Sequence, residues 1–282
     1  MNETIRRPVD PWNQTTIATA EEARVRELAR LLELRGQGED QAAIRAAYLD
    51  LLQMAPGERV LDVGCGTGVA ARDVARRVAP TGHVVGIDPS PIMLAVAREI
   101  AAREGVAEQI EFRVGDARAL PVADAAFDVV LAITALSHTT DAEQAIPELL
   151  RAVRTGGQVG IFDIDPESWM VCHPDRALTR RISAAATDAV TNGWLARRLP
   201  GLLESAGVQD VHVRAFTPVE RDPAGFYANQ APMRVNQAVL AGAISEEEGE
   251  RWLSALRAEQ AANRFLIGQI HLFIWGRRPA QR

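Results

Sequence analysis

The chain has 282 residues and a formal net charge of −6, from 31 basic and 37 acidic side chains. This acidic balance argues against nucleic acid as a partner, because phosphate backbones select basic surfaces. Every basic residue is an arginine, so a Schiff base on a lysine of this chain is excluded. With 47% hydrophobic residues, the composition suits one α/β domain with additions and a sizeable core.

Residues 1–55 are interpreted as an N-terminal arm and helical cap. Residues 1–20 have no clear period and predict an irregular arm. Apolar residues then recur at helical spacing, which predicts helices near residues 20–35 and 39–54. The Gly-Gln-Gly stretch at 36–38 separates the two helices.

A short apolar strand that ends in three alternating glycines is the most informative feature of the sequence. The strand is predicted at 59–63, the glycines are Gly64, Gly66 and Gly68, and a helix is predicted near 68–79. Glycines at such a junction allow positive φ and a close approach of a ligand to the backbone. Asp88 ends the next strand, where a carboxylate can accept hydrogen bonds from a ribose diol. The pattern predicts a site for an adenosine-like cofactor.

Two other glycine-rich loops do not fit this stretch. A dinucleotide fold requires the pattern G-x-G-x-x-G, whereas Val69 stands where its last glycine would fall. A P-loop requires a lysine after its glycines, and this chain has no lysine. A nicotinamide-dependent oxidoreductase is therefore disfavoured.

Strands and helices alternate through residues 56–165, which predicts a parallel sheet covered by helices on both faces. Strands are predicted near 59–63, 83–88, 110–114, 127–133 and 158–163, with helices near 68–79, 91–104 and 141–153. Residues 166–282 are interpreted as lid insertions that also complete the domain. Helices are predicted near 174–191, near 193–206 and across 223–263, and strands near 209–217 and 266–275. Breaks in the long helical stretch are expected at Pro232 and Ser245.

Five ordered motifs between residues 56 and 165 resemble class I S-adenosylmethionine-dependent methyltransferases, most of all the ubiquinone- and menaquinone-biosynthesis type and its small-molecule relatives. They are Asp62-x-Gly64-x-Gly66-x-Gly68, residues 88–93, residues 115–121, residues 127–138 and residues 150–157. The resemblance implies a Rossmann-like doubly wound α/β sheet of seven strands, mostly parallel with an antiparallel last strand. It also implies S-adenosyl-L-methionine as cofactor and S-adenosyl-L-homocysteine as product.

The resemblance implies a set of cofactor-binding residues in this sequence. They are Gly64, Cys65, Gly66, Gly68, Asp88, Pro89, Met93, Asp116, Ala117 and Ala132. Within this set, Asp88 would take the ribose hydroxyls and Met93 would pack on the adenine. Asp116 would meet the adenine amino group, and the Ala132 carbonyl the ammonium. Asp62 is expected to support the glycine loop.

Methyl transfer needs a base only where the acceptor holds its proton tightly. His138 follows the fourth strand and Asp163 ends the fifth, so these two are the candidate catalytic residues; Asp165 is at the same rim. No metal is expected, since the spacing of Cys172, His173 and Asp175 does not match a metal site.

The lid sequence also suggests how an acceptor is bound. Aromatic and methionine side chains could line an apolar acceptor pocket, namely Trp169, Trp194, Phe226, Tyr227 and Met233. The arginine pairs at 180–181 and 197–198 are most simply interpreted as part of a solvent-exposed helix face. An arginine pair that faced the pocket would instead favour a carboxylated or phosphorylated acceptor.

The predicted function is methyl transfer to an O, N or C atom of a small biosynthetic molecule. The alternative is a protein that binds the same cofactor without transferring methyl, as a cyclase or structurally. We expect no membrane span and a cytoplasmic location, because no signal-length or membrane-length apolar run occurs. The acidic charge predicts no nucleic acid partner, and a homo-oligomer is possible.

Overall fold

The computed structural model describes residues 10–279. The strands are β1 (Arg59–Val63), β2 (His83–Asp88), β3 (Ile110–Val114), β4 (Phe127–Ile133), β5 (Val153–Ile164), β6 (Met170–Val171), β7 (Gln209–Phe216), β8 (Val219–Glu220), β9 (Ile267–Gly268) and β10 (His271–Arg277). The helices are α1 (Gln14–Thr19), α2 (Glu22–Gln37), α3 (Glu39–Asp50), α4 (Val69–Val78), α5 (Pro91–Arg103), α6 (Ala145–Ala152), α7 (Arg176–Asp188), α8 (Leu195–Ser205), α9 (Ala231–Leu240) and α10 (Glu246–Ala261). In this part of the chain, no helix has both the length and the apolarity to cross a membrane.

Seven strands form the main sheet, in the order β3-β2-β1-β4-β5-β10-β7. The pairs β1–β2, β1–β4, β2–β3 and β4–β5 are parallel, and β10 runs antiparallel to both of its neighbours, β5 and β7. The strand order reverses between β1 and β4, where open α/β sheets bind their ligands. The predicted Rossmann-like doubly wound sheet, with its antiparallel last strand, is confirmed.

The alternation of side chains along β1 explains why helices cover both faces of the sheet. Leu61 and Val63 pack into the core beneath α6 and α8, whereas Val60 packs on the other face with residues of α3, α4 and α5. Because both faces are covered, β1, β2 and β4 are mostly apolar, whereas β3 at the sheet edge alternates apolar with charged residues. The bounds of these four strands agree with the prediction, whereas β5 is longer than expected.

The insertions contain structure that the helical pattern did not predict. Strands β6, β9 and β8 form a small antiparallel sheet beside α7, α9 and α10. These elements enclose a core of their own around Trp252 and Phe265. The break expected around Pro232 is present, because α9 begins at Ala231 and Pro232 lies in its first turn, where the missing N–H costs nothing. The helix predicted from residue 223 therefore begins later than expected. Ser245 does end the preceding segment, since it caps α10 in a capping box with Glu248.

The N-terminal region is more ordered than its sequence pattern predicts. The irregular arm expected for residues 1–20 is wrong for 14–19, which form α1 with the Asn13 side chain as its N-cap; residues 1–9 lie outside the described residues. Helix α2 continues through Gly36 to Gln37. The glycine at this position lets α2 approach Val69 on α4 closely. Apolar side chains of α1 and α2 pack with Met93 of α5. This packing brings the N-terminal helices over the sheet edge.

The last predicted strand is divided in two. Residues 269–270 separate β9 from β10, and the chain moves there from the small sheet to the main one. Gln269 is buried and donates to the Asp165 carbonyl, while the Ile270 N–H donates to Ser168 Oγ. These polar contacts interrupt the apolar run that the sequence presents as continuous.

Candidate functional site

The carboxyl edge of the sheet borders a cavity of about 860 Å³. Its walls come from α1 to α3, from the loops that follow β1, β2 and β4, and from the insertion around α9. Ligand cavities in proteins commonly measure about 300–1,000 Å³. This cavity has room for a nucleoside-sized cofactor and a small second molecule.

The structure brings most of the predicted site residues to this cavity. Its lining includes Gly64, Cys65, Gly66, Asp88, Pro89, Met93, Ala117 and His138. Four predicted residues lie outside the lining, namely Gly68, Asp116, Ala132 and Asp163.

The glycine loop needs its glycines for two reasons. Gly64 and Gly66 have φ of +72° and +53°, a conformation that favours glycine. A Cβ on Gly64 would overlap the Ala135 side chain, and one on Gly66 would lie 3.1 Å from Leu32 Cδ1. The loop thus presents bare backbone to the cavity.

Two residues of the loop serve the core more than the cavity. Gly68 has φ +76° at the N-terminus of α4, and a Cβ there would lie 3.0 Å from Phe112 Cζ. The Cys65 thiol belongs to the core cluster on the same face, and burial raises its pKa. The sequence prediction of ligand contact by Gly68 is therefore not supported, because its role is to let α4 pack on Phe112.

Asp88 lies at the end of β2 with its carboxylate turned toward the glycine loop. The Gly66 N–H donates to Oδ2 at 2.9 Å and the Ser90 N–H donates to Oδ1 at 2.9 Å. Burial raises the pKa of Asp88 to about 6, against the lowering effect of these hydrogen bonds. Each oxygen has lone pairs left for a further donor.

Asp62 precedes the glycine loop that it was expected to support. Its side chain is buried and lines the cavity, and neither oxygen has a hydrogen bond of normal geometry among the described residues, although the Ala71 N–H is near enough to act against the rise of its pKa. Burial, followed by the nearby Asp88 carboxylate, raises the pKa of Asp62 to about 7. A buried carboxylate without a donor indicates a missing cationic or donor group in the cavity.

On the far side of Asp88, the predicted adenine contacts divide. Met93, Pro89 and Ala117 line the cavity, whereas Asp116 is absent from the lining and its carboxylate is bound by the Arg118 guanidinium at 2.7 Å. This ion pair holds the pKa of Asp116 below its usual value. An adenine contact from Asp116 would require that the carboxylate turn from Arg118.

At the end of β4, the residues that line the cavity follow Ala132 in the sequence. Ala132 is fully buried within the strand and pairs with Val63 on one side and Ile161 on the other. The residues that reach the cavity are 133–135, where Thr134 has φ +48°. Ala132 does not line the cavity, so its predicted contact stays a prediction, and residues 133–135 are nearer to a ligand.

His138 faces the cavity and is held by an acid from the N-terminal arm. Its Nδ1 lies 2.8 Å from Asp10 Oδ2, and the same oxygen accepts from the Thr191 N–H and hydroxyl. Burial acts to raise the pKa of Asp10, but the hydrogen bonds from His138 and Thr191 outweigh it and lower that pKa. The sequence analysis missed Asp10, because only the fold brings residues 128 positions apart together.

Asp163 is not placed to meet an acceptor. It is fully buried; Oδ1 accepts from Ser137 Oγ at 2.7 Å, and Oδ2 from the Ser137 N–H at 2.9 Å. Burial raises the pKa of Asp163 despite these bonds. Asp163 anchors the loop that carries His138 through these bonds, and its predicted catalytic role stays a prediction without a direct path to the cavity.

The other candidates lie in the insertion. Asp165 pairs with Arg197, and His173 stacks on Trp252 with ring centroids 4.4 Å apart. Phe226, Tyr227 and Met233 line the cavity as expected, whereas Trp169 packs in the core of the insertion and Trp194 is exposed.

Known proteins with similar sequences support this interpretation of the core. Residues 60–157 match the family model described as a methyltransferase domain. Methyltransferase GfsG from Streptomyces halstedii is 40% identical over 113 residues, which is 40% of each chain. The alignments cover 28% to 62% of the length of the first three curated relatives, so the chain spans less than two thirds of each.

Solved structures share the fold over nearly the whole chain. The [4+2]-cyclase SpnF has a TM-score of 0.59 at 21% identity, covering 97% of this chain and 99% of the cyclase. Phosphoethanolamine N-methyltransferase 2 from Haemonchus contortus, in complex with S-adenosyl-L-methionine, has a TM-score of 0.60 at 19% identity, covering 94% of this chain and 60% of that one. Residues 60–157 therefore form a methyltransferase domain, and the seven-stranded sheet that contains it has the fold of these solved structures.

Proposed function

We propose that this chain uses S-adenosyl-L-methionine to methylate a small-molecule acceptor in the cavity at the carboxyl edge of the sheet. The observation that carries the proposal is one continuous cavity that joins the glycine loop and Asp88 to His138. The acidic net charge favours a small acceptor over nucleic acid. The cytoplasmic location and the homo-oligomer stay predictions.

The residues of this chain fit the cofactor. Gly64 and Gly66 leave bare backbone for the methionine part, and the oxygens of Asp62 that lack donors suit its ammonium group. Asp88 would take the ribose hydroxyls, and Met93 would border the adenine. The bound cofactor supplies a methyl group already activated on sulfonium sulfur.

The protein then has to orient the acceptor and remove its proton where one is held. His138 is the candidate base, because Asp10 favours the tautomer with the proton on Nδ1 and leaves the Nε2 lone pair free. Asp10 thus orients the His138 ring. Asp163 holds the loop that carries His138 through its hydrogen bond with Ser137. A site closed from water would favour the transfer.

We also propose that residues 1–55 and 166–282 serve as cap and lid over the core at 56–165. Side chains of α2 and of the α9 region border the same cavity, so an acceptor would have to pass between them. A loaded cofactor would then be shielded on both sides.

The test is calorimetric titration with S-adenosyl-L-homocysteine, followed by transfer of labelled methyl to a panel of small acceptors. We expect binding, and we expect Asp88→Ala to weaken it by about 1–3 kcal/mol. Tight binding of NAD in place of the nucleoside would contradict the proposal. If the nucleoside binds but no acceptor is methylated, the result would favour the alternative that the cofactor is used without methyl transfer. The fold shared with a cyclase does not distinguish the two functions.

A further inference from the structure

Three arginines that line the cavity have no carboxylate within salt-bridge distance among residues 10–279, and one of them, Arg24, is exposed to solvent. The other two are Arg35 on α2 and Arg234 on α9, whose polar contacts are all neutral groups. The pairs singled out in the sequence behave differently, since Arg181, Arg197 and Arg198 each bind an acid. A guanidinium buried without an anion is costly, so the cavity has unmatched positive charge.

Arg234 is the more deeply buried of the two, with 5% of its surface exposed. It donates from Nη2 to Gln269 Oε1 at 3.0 Å and from Nη1 to the Pro166 carbonyl at 3.4 Å, and its Nε has no partner among the described residues. Its guanidinium lies 4.9 Å from the centre of the Trp169 ring. Burial lowers the pKa of Arg234 to about 10, which leaves it protonated at neutral pH.

The groups around Arg35 are also uncharged. Arg35 Nη2 lies 3.4 Å from His271 Nε2, and Nε donates to Gln41 Oε1 at 3.4 Å. Burial, followed by Arg35, lowers the pKa of His271 to about 3, so this imidazole is neutral. The Tyr227 hydroxyl accepts from Gln41 Nε2 at 2.9 Å, and burial raises the pKa of Tyr227, so this phenol is neutral too.

The two arginines lie near Tyr227. Arg35 Nη2 and the Tyr227 hydroxyl each lie 3.4 Å from His271 Nε2, and Arg234 donates to Gln269, two residues before His271. The charges of Arg35 and Arg234 act to lower the pKa of Tyr227, whereas burial and the Glu220 carboxylate raise it. Two cationic forks directed at one region are suited to an oxyanion, because a guanidinium binds carboxylate or phosphate with two parallel hydrogen bonds.

This region lies at the acceptor end of the cavity. His271 begins β10, two positions along the sheet from β4, which leads to His138. Neighbouring strands lie about 4.8 Å apart, which puts the arginine region roughly 10 Å from the end of β4. The glycine loop follows β1, one strand further away. Arg35 borders both regions, because its neighbour Gly36 packs on Val69 directly after the glycine loop. An oxyanion bound between Arg234 and Arg35 would therefore be at the end of the acceptor that is remote from His138.

We propose that Arg35 and Arg234, with Tyr227 between them, form a subsite for an oxyanion, a carboxylate or phosphate, carried by the methyl acceptor. The proposal rests on the proposed function for the identity of the bound molecule as acceptor. It restricts the substrate class to anionic small molecules in which the methyl-accepting atom and the oxyanion are separated by a spacer. Neutral quinones and neutral polyketides would bind poorly.

The test is calorimetric titration of the full chain with benzoate, phenyl phosphate and benzamide, each with and without S-adenosyl-L-homocysteine. Benzamide matches benzoate in shape but has no charge. We expect at least one anion to bind tenfold or more tightly than benzamide, and the stronger of the two identifies carboxylate or phosphate. Equal or weaker binding of both anions would overturn the proposal.

Arginine variants assign the binding to these residues. Arg234→Gln and Arg35→Gln should each weaken anion binding at least tenfold while nucleoside affinity is unchanged, and Arg35→Gln serves alone if the buried variant does not fold. Arg198→Gln is the matched control, because it removes an exposed arginine outside the cavity. Unchanged anion affinity in Arg35→Gln would also overturn the proposal. If the chain does not bind the nucleoside, that result counts against the proposed function alone, because the anion titrations without S-adenosyl-L-homocysteine still measure the subsite.

Discussion

Three buried acids along the cavity differ in charge state, and the difference follows from their donors. Asp10 receives hydrogen bonds from His138 and Thr191, which hold its pKa below the usual range. Asp88 receives two backbone N–H groups, and burial still raises its pKa to about 6. Asp62 has no hydrogen bond of normal geometry among the described residues, and its pKa rises to about 7. Asp10 and Asp88 thus have protein donors, whereas Asp62 has room for a donor from a ligand.

Replacing Asp62 by Asn should stabilise the protein without cofactor and weaken cofactor binding. The raised pKa means that folded Asp62 holds its proton where the unfolded chain, with a pKa near 3.8, has lost it. Its contribution to stability is therefore intact below pH 4 and lost as the pH rises to 7. The gain in unfolding free energy of Asp62→Asn should grow between pH 5 and pH 8, while nucleoside affinity falls about tenfold. Denaturant titrations at both pH values measure the first effect and calorimetry the second. A gain independent of pH would contradict the assigned pKa.

Replacing His138 by Ala should separate chemistry from cofactor binding. If its Nε2 takes the acceptor proton, turnover should drop roughly 100-fold or more, whereas nucleoside affinity should stay constant because the ring does not belong to the glycine loop. Asp10→Asn keeps the shape but removes the charge beside Nδ1. We expect kcat to fall in this variant with KM nearly constant and an altered pH profile of kcat. Normal turnover in His138→Ala would leave the histidine a packing role only.

At the scale of elements, the turn from β1 into α4 couples the fold to the site. Three glycines with positive φ lie within five residues, at 64, 66 and 68. Gly68 lets α4 approach Phe112, and Gly64 and Gly66 keep side chains out of the cavity. The packing of α4 and the exposure of backbone to a ligand therefore depend on the same turn.

Gly64→Ala should lose cofactor binding as well as stability, and Gly105→Ala supplies the comparison. Both glycines have nearly the same φ, +72° and +73°, so both variants incur the left-handed penalty of about 1–2 kcal/mol. A Cβ at Gly105 meets nothing within 4 Å, whereas one at Gly64 overlaps Ala135. Thermal unfolding and nucleoside titration of both variants distinguish backbone strain from the clash. Equal loss in both would mean that the close approach of Ala135 does not matter.

The elements that the sequence predicted well are those whose pattern is local. Strands β1 to β4 are short segments with buried apolar residues, three of them next to a glycine, and their ends were predicted correctly. The strands β6, β8 and β9 have two residues each, too few for a period to be visible. Asp10 and the two unpaired arginines were not foreseeable, because a missing or distant partner leaves no mark on neighbouring residues.

At the scale of the whole molecule, the cavity is bounded by parts of the chain that are far apart in sequence. Residues 10–48 form one wall, the core at 62–139 forms the floor, and residues 226–237 form the opposite wall. The insertion has its own apolar core around Trp252, and the N-terminal helices pack separately on Met93. A ligand that contacts all three parts would link units that otherwise have separate cores.

Binding of S-adenosyl-L-homocysteine should therefore raise the melting temperature and slow amide exchange in α2 and α9 together. At a nucleoside concentration 100 times Kd the stabilisation is about 2.7 kcal/mol, which for a chain of this size amounts to about 5 °C. Asp88→Ala should reduce both effects at the same concentration, because fewer molecules are loaded. Hydrogen exchange read by mass spectrometry, with NAD as the comparison ligand, measures the two walls separately. Protection of the core without protection of α2 and α9 would mean that the cap and lid do not close on the cofactor, even if the melting temperature rises as expected.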